Sequence, residues 1–228
     1  MQSKKTNRQR FCGGNVLPFT KYRGGNLNKK NNTLFQGRIR DYILVAALGI
    51  AAGLIVALFL WLPESVLWDF SYFSSGTYGF WMFTTALIVL FSAKRYIAAI
   101  NVGVYVFFLF LITTVFQSLR LFYTGSHTPY ATVSEMTAGS IGGWLWYSIA
   151  PAIICAGLGC LLWGARKDTT LGKLLLFAPL VFLVIETSYL FFFVFVHQAK
   201  LFSALTDIVC IGGYILIVKR FFPGSKHL

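Results

Sequence analysis

Acidic residues are scarce in this chain: Asp and Glu together number 7 among 228 residues, against 20 Lys and Arg. All charged residues amount to 12% of the sequence, whereas 57% is hydrophobic. An ordinary soluble domain carries about 25% charged residues, so this composition excludes that class. It is typical of a chain whose surface faces lipid.

Cysteine pairs and catalytic motifs are also missing. The sequence contains no Cys-x-x-Cys pair and no Cys/His spacing typical of a zinc site. It has no Gly-x-Ser-x-Gly, no His-Glu-x-x-His, no paired-Glu intramembrane protease motif and no phosphate-binding glycine loop. We therefore expect no enzyme, no disulfide, no cofactor and no metal site, and we assign no catalytic residue.

Long apolar runs are what the chain does have. A hydrocarbon core about 30 Å thick requires about 20 helical residues, and five of six runs reach that length, the second being shorter. The pattern predicts an all-α, polytopic integral membrane protein with six transmembrane helices in a bundle. The runs cover roughly 42–62, 77–93, 97–117, 141–163, 173–196 and 201–218.

The basic residues follow an alternating pattern. Of the 20, all but Arg120 and Lys200 fall in segments that alternate to one side of the predicted membrane. Basic residues are retained on the cytoplasmic side, so the pattern predicts cytoplasmic N and C termini in a multi-pass protein of the cell (cytoplasmic) membrane.

The two ends of the chain lie outside the predicted membrane domain, 41–220. Residues 1–40 are rich in Asn, Gly, Lys and Arg and lack hydrophobic periodicity, which predicts a disordered basic tail. Such a tail is attracted to anionic lipid by about 1 kcal/mol per basic residue near the surface. It contains no recognisable nucleic-acid-binding module, so we expect no nucleic-acid partner. Residues 221–228 form a short basic cytoplasmic tail.

The first apolar run carries small residues at four-residue spacing: Ala47 and Ala51, Gly49 and Gly53. Small residues at this spacing let another helix approach closely. The pattern predicts a helix-contact face, either within the bundle or against a partner membrane subunit.

The longest predicted external loop runs from about Ser118 to Ser140. Loops of that length often act as lids or binding loops, although a merely flexible connection is equally consistent with the sequence. As candidate gating residues we take Arg120, His127 and Tyr130.

Two acidic residues, Glu186 and Asp207, lie deep in the last two apolar runs. By helical rise, Glu186 lies about 16 Å below His197 and Asp207 about 10 Å below Lys200, so the two carboxylates are at similar depth. Membrane carboxylates usually face the bundle interior and have a partner. The spacing predicts a polar site for a small solute or cation.

Two further candidates share helical faces with these carboxylates. Tyr189 follows Glu186 by three residues, and Ser203 precedes Asp207 by four. A structural interpretation also fits: Glu186 protonated or bonded to a neighbouring hydroxyl, and Asp207 serving as counter-ion of Lys200.

Three short stretches carry a resemblance to known proteins: Ser74-Ser75-Gly76-Thr77-Tyr78-Gly79-Phe80-Trp81, Ile97-Ala98-Ala99 and Ile185-Glu186. They resemble uncharacterised multi-pass bacterial membrane proteins grouped as domains of unknown function. The helical plan is similar to that of the substrate-binding S components of energy-coupling factor vitamin transporters, which have about this length, six helices, both ends inside, a small-residue first helix and an external loop over the site. The resemblance implies that Ala47 and Ala51 contact a transmembrane coupling subunit.

The sequence therefore favours membrane-embedded binding or uptake of a small polar solute or cation, with the chain acting alone or as the substrate-binding subunit of a larger transporter. The alternative is a non-catalytic accessory or scaffold protein that packs against partner membrane subunits.

Overall fold

A computed structural model describes residues 33–62, 65–70, 78–125, 130–167 and 169–221. The described residues are helical and contain no strand, which confirms the all-α prediction. The elements are α1 (Ile39–Leu60), α2 (Gly79–Phe91), α3 (Arg95–Tyr123), α4 (Val133–Leu162), the 3-10 turn η1 (Trp163–Arg166), α5 (Thr170–His197) and α6 (Leu201–Phe221).

Five of these helices are long and apolar enough to cross a membrane, namely α1, α3, α4 with η1, α5 and α6. Helix α2 differs, because its 13 residues span only about 20 Å at 1.5 Å per residue. The predicted run at 77–93 is thus shortened at both ends. Among the described helices, the five others meet the length that a bilayer requires.

The connection between α3 and α4 is much shorter than predicted. Helix α3 continues to Tyr123 and α4 begins at Val133, so the predicted loop from Ser118 to Ser140 was wrong at both of its ends. A side-chain N-cap starts α4 early: Glu135 N donates to Thr132 Oγ1 at 3.2 Å, and Ala131 N, one residue before the cap, donates to Glu135 Oε2 at 3.0 Å.

Residues 33–40, the last part of the predicted disordered tail, are described in the structure and contact the helices. Phe35 is only 6% exposed. The N–H groups of Leu34 and Phe35 donate to the carbonyl of Phe91, and Ala93 N donates to the carbonyl of Phe35. This segment therefore binds the carboxyl end of α2. Residues 1–32, which hold the rest of the predicted tail, lie outside the described residues, as do 222–228.

Helix α2 lies between two groups of helices. Helix α3 packs against α1 and α4, and α5 packs against α6, while α2 contacts α3, α4, α5, α6 and η1. An apolar cluster joins α2 to η1, α5 and α6 through Ala86, Leu90, Ala165, Leu176, Tyr214 and Val218. The shortest helix thus connects the two parts of the bundle.

The small-residue face of α1 divides into two parts. Gly49 and Gly53 pack against α3: a Cβ on Gly49 would lie 2.5 Å from Tyr105 O, and one on Gly53 would lie 2.9 Å from Leu109 O. Of the two alternatives that the sequence leaves open, these glycines therefore make the contact within the chain. Ala47 and Ala51 are exposed, and their contact with a partner stays a prediction.

Candidate functional site

Glu186 of α5 binds the amino end of α2. Its Oε1 accepts a hydrogen bond of 2.5 Å from Tyr78 N, the residue directly before the helix. The first N–H groups of any helix have no partner inside it, and a carboxylate is a preferred partner for them. A residue 108 positions further along the chain supplies this partner.

Asp207 of α6 lies against the next residue of α2, Gly79. The Asp207 side chain is fully buried, at 0% exposure. A Cβ on Gly79 would lie 2.8 Å from Asp207 Oδ2 and closer still to Oδ1. Only glycine leaves room for the carboxyl group at this position.

The two carboxyl groups therefore contact consecutive residues at the amino end of α2, Tyr78 before the helix and Gly79 as its first residue. Glu186 is 9% exposed. In the part of the chain that the structure describes, both oxygens of Asp207 and Oε2 of Glu186 are buried without a hydrogen-bond partner. Buried polar oxygens are nearly always paired, so three unpaired ones on two neighbouring side chains set this place apart from the rest of the described chain. We call Glu186, Asp207 and the Tyr78–Gly79 backbone the carboxylate site.

Of the two other residues predicted to line this site, one is buried and the other is exposed. Ser203 is fully buried one turn before Asp207, as its spacing predicts. Tyr189, in contrast, is 52% exposed, with its ring against Phe193. A spacing of three residues leaves Tyr189 about 60° around the helix from Glu186, and its ring lies on the exposed side of that position. The structure therefore does not bring Tyr189 to the two carboxyl groups.

The lysine proposed as counter-ion of Asp207 lies elsewhere. Lys200 Nζ stands 4.1 Å from the centroid of the Phe193 ring, a cation–π arrangement on α5. Since the described residues give the Asp207 oxygens no partner, Lys200 does not neutralise this carboxyl group.

The two described candidate gating residues, Arg120 and Tyr130, flank the connection between α3 and α4. Arg120 belongs to the last turn of α3 rather than to a loop. Tyr130 packs over the start of α4, where a Cβ on Gly139 would lie 2.6 Å from its hydroxyl. His127 lies outside the described residues. Within the described ranges neither Arg120 nor Tyr130 donates a hydrogen bond to Glu186 or Asp207.

The opposite end of α2 carries a positive charge that sequence reasoning missed. Arg166 of η1, which is partly buried, donates from its guanidinium to the carbonyl of Ser92, the residue that caps α2. Trp163 Nε1 donates to the same carbonyl at 3.2 Å. Membrane topology alone explains the basic residues around 166 in the sequence, so the sequence predicts no contact between Arg166 and α2.

Tyr78 and Gly79 were also missed as functional positions, because their contribution is a backbone N–H and the absence of a side chain. The short second apolar run was the one sequence feature that pointed to these positions.

Among the described residues no group of three or more His, Cys, Asp or Glu could hold a metal ion.

The fold and the buried carboxyl groups indicate a multi-pass membrane protein with a polar site inside the bundle. The chain matches no protein-family model, no curated protein and no solved structure.

Proposed function

We propose that this protein crosses the cell membrane six times with both termini in the cytoplasm and binds a small cation, a proton included, at the carboxylate site. In this proposal the bound cation passes through the membrane, by the chain alone or with the chain as binding subunit of a larger transporter.

One observation carries the proposal: Asp207 is fully buried, its carboxyl oxygens have no partner in the described chain, and it stands beside a second buried carboxyl group, Glu186. An isolated charge inside a bilayer costs at least about 2.5–3.5 kcal/mol. Two adjacent acidic groups without a basic partner are therefore expected to bind a proton or another cation.

The packing of the site favours a small cation over a larger polar solute. The backbone of Gly79 approaches Asp207 so closely that even a methyl group on Gly79 would overlap its oxygens. A vitamin-sized solute would have to displace the end of α2 to reach the Asp207 oxygens.

The position of α2 supports a role in transport. The site lies where α5 and α6 meet the helix that also contacts α3 and α4. A change in charge at the site therefore acts on the contact between the two groups of helices. Alternating access requires such a link between ion binding and packing.

Purified protein in liposomes tests the proposal. We expect an imposed gradient of protons, Na⁺ or K⁺ to drive cation flux in wild type, and we expect Asp207→Asn to reduce that flux at least tenfold. Glu186→Gln keeps an oxygen that can accept from Tyr78 N and removes the charge, so a loss of flux there reports on charge rather than on helix capping.

Glu135→Gln is the matched control, since Glu135 also accepts from a backbone N–H at a helix start but is exposed. Absence of flux for every cation, together with wild-type melting temperatures for Asp207→Asn and Glu186→Gln, would overturn the proposal. That result would favour the accessory or scaffold protein, with Ala47 and Ala51 on its partner face.

A further inference from the structure

We infer that the cation at the carboxylate site is a proton, carried by Asp207, while Glu186 remains ionised. This inference rests on the proposed function and specifies its ligand. It follows from what α2 presents to the two carboxyl groups.

The amino end of α2 favours one negative charge and disfavours a metal cation. It carries a partial charge of about +0.5 and exposes N–H donors. Tyr78 N already donates to Glu186 at 2.5 Å. A metal ion bound between the carboxyl groups would lie beside these donors and against the positive end of the helix. A proton shared by the pair leaves a single anion, which the same donors stabilise.

The hydrogen bonds distinguish the two acids. A hydrogen bond from an N–H group favours the ionised form of the carboxyl group that accepts it. Glu186 accepts such a bond, whereas no described residue donates to either oxygen of Asp207. A protonated Asp207 needs no donor, and it gains an O–H group that can donate to the unpartnered Oε2 of Glu186.

Among the described residues, the titratable groups near Asp207 do not offer a basic partner. Glu186 faces it from α5, and Cys210 lies one turn further along α6 and is buried. Helix α2 presents the Gly79 backbone. Tyr189 points out of the bundle, and Lys200 lies over Phe193. The binding step is then the addition of one proton to the Asp207 carboxylate, and release is its reverse.

Infrared difference spectroscopy of the protein in liposomes, recorded between acidic and alkaline buffer, tests the inference. We expect a carbonyl stretching band of a protonated carboxylic acid that titrates with pH and shifts in heavy water. The band should be absent in Asp207→Asn and present, at an altered position, in Glu186→Gln. Glu135→Gln should match wild type.

Two results would overturn the inference. Retention of the band in Asp207→Asn would place the proton on another group. A spectrum without this band, in which Na⁺ or K⁺ shifts the carboxylate bands at constant pH, would identify a metal cation. In the second case Na⁺ or K⁺ flux in the liposome assay would still support the proposed function, whereas absence of flux for every cation would refute the function itself. Melting curves of each variant verify that it is folded.

Discussion

Arg166 and Glu186 bind opposite ends of the same short helix. The guanidinium of Arg166 donates to the carbonyl that follows α2, and the carboxyl group of Glu186 accepts from the N–H that precedes it. A helix carries partial positive charge at its amino end and partial negative charge at its carboxyl end, so each residue has the complementary sign. With 13 residues, α2 is too short to expose both ends to water across a bilayer about 30 Å thick. Its polar ends are satisfied by other elements of the protein instead.

Replacing Arg166 by Met should therefore destabilise the protein. The Ser92 carbonyl would lose its charged donor while keeping Trp163, and a hydrogen bond to a charged group contributes about 1.5–3 kcal/mol. We expect a lower melting temperature in detergent for Arg166→Met. Lys167→Met, which removes an exposed neighbouring charge, should leave the melting temperature within about 1 °C. Equal curves for both variants would show that the contact at α2 contributes no stability.

Gly79→Ala should impair the carboxylate site directly. The added Cβ would overlap the Asp207 oxygens, and overpacking of this kind costs about 1–3 kcal/mol. Flux in liposomes should fall at least tenfold, and the melting temperature should decrease. Gly142→Ala is the control, because a Cβ there meets nothing within 4 Å. Since Ala is the better helix former, that variant should equal or exceed wild type in stability. Normal flux in Gly79→Ala would contradict the geometry of the site.

The long helices and the proximity of the Glu186 and Asp207 carboxyl groups could both be predicted from the sequence. Both follow from counting residues along helices, because Glu186 and Asp207 are placed at similar depth by the fixed rise of α5 and α6. Hydropathy alone predicts six apolar runs, and the five that are long enough to span correspond to the five long helices, since a long apolar segment has few alternatives in a membrane.

What the sequence did not predict depends on backbone groups and on capping. The start of α4 is polar, with Thr132, Glu135 and Thr137, so a hydropathy window assigns it to a loop, although the Thr132 cap starts a helix there. Tyr78 and Gly79 belong to the site through main-chain atoms, which no side-chain pattern reveals. The positive-inside rule accounts for Arg166 as a topology signal, and nothing further in the sequence indicates that it binds the carboxyl end of α2.

The close approach of α1 to α3 gives a further prediction. Gly49→Ala places a Cβ 2.5 Å from the carbonyl oxygen of Tyr105, a backbone atom that cannot turn aside. We expect Gly49→Ala to separate the two helices and to lower the melting temperature of the isolated chain. Ala51→Leu changes an exposed position and should leave that temperature unchanged. If a partner subunit contacts the exposed face of α1, its co-purification should fail with Ala51→Leu, although this substitution leaves the melting temperature of the isolated chain unchanged.

The sixth span can be tested by labelling. Ser65 and Lys94 are exposed and lie before and after α2. In a cysteine-free background, Ser65→Cys should react with a membrane-impermeant maleimide on intact cells, whereas Lys94→Cys should react only after lysis. Reaction of both from the same side would show that α2 does not cross the membrane and would refute the six-span topology.

The partners of α2 also have a consequence for biosynthesis. Tyr78 and Glu186 are 108 residues apart, and Ser92 and Arg166 are 74 apart. At about 5–20 residues per second, a ribosome needs roughly 5–20 s after making the start of α2 before Glu186 exists. During that interval α2 has only the earlier-made residues Leu34 and Phe35 at its carboxyl end. Its contacts with Glu186 and Arg166 form after the second half of the chain is made, so we expect this helix rather than any long one to limit the rate of assembly.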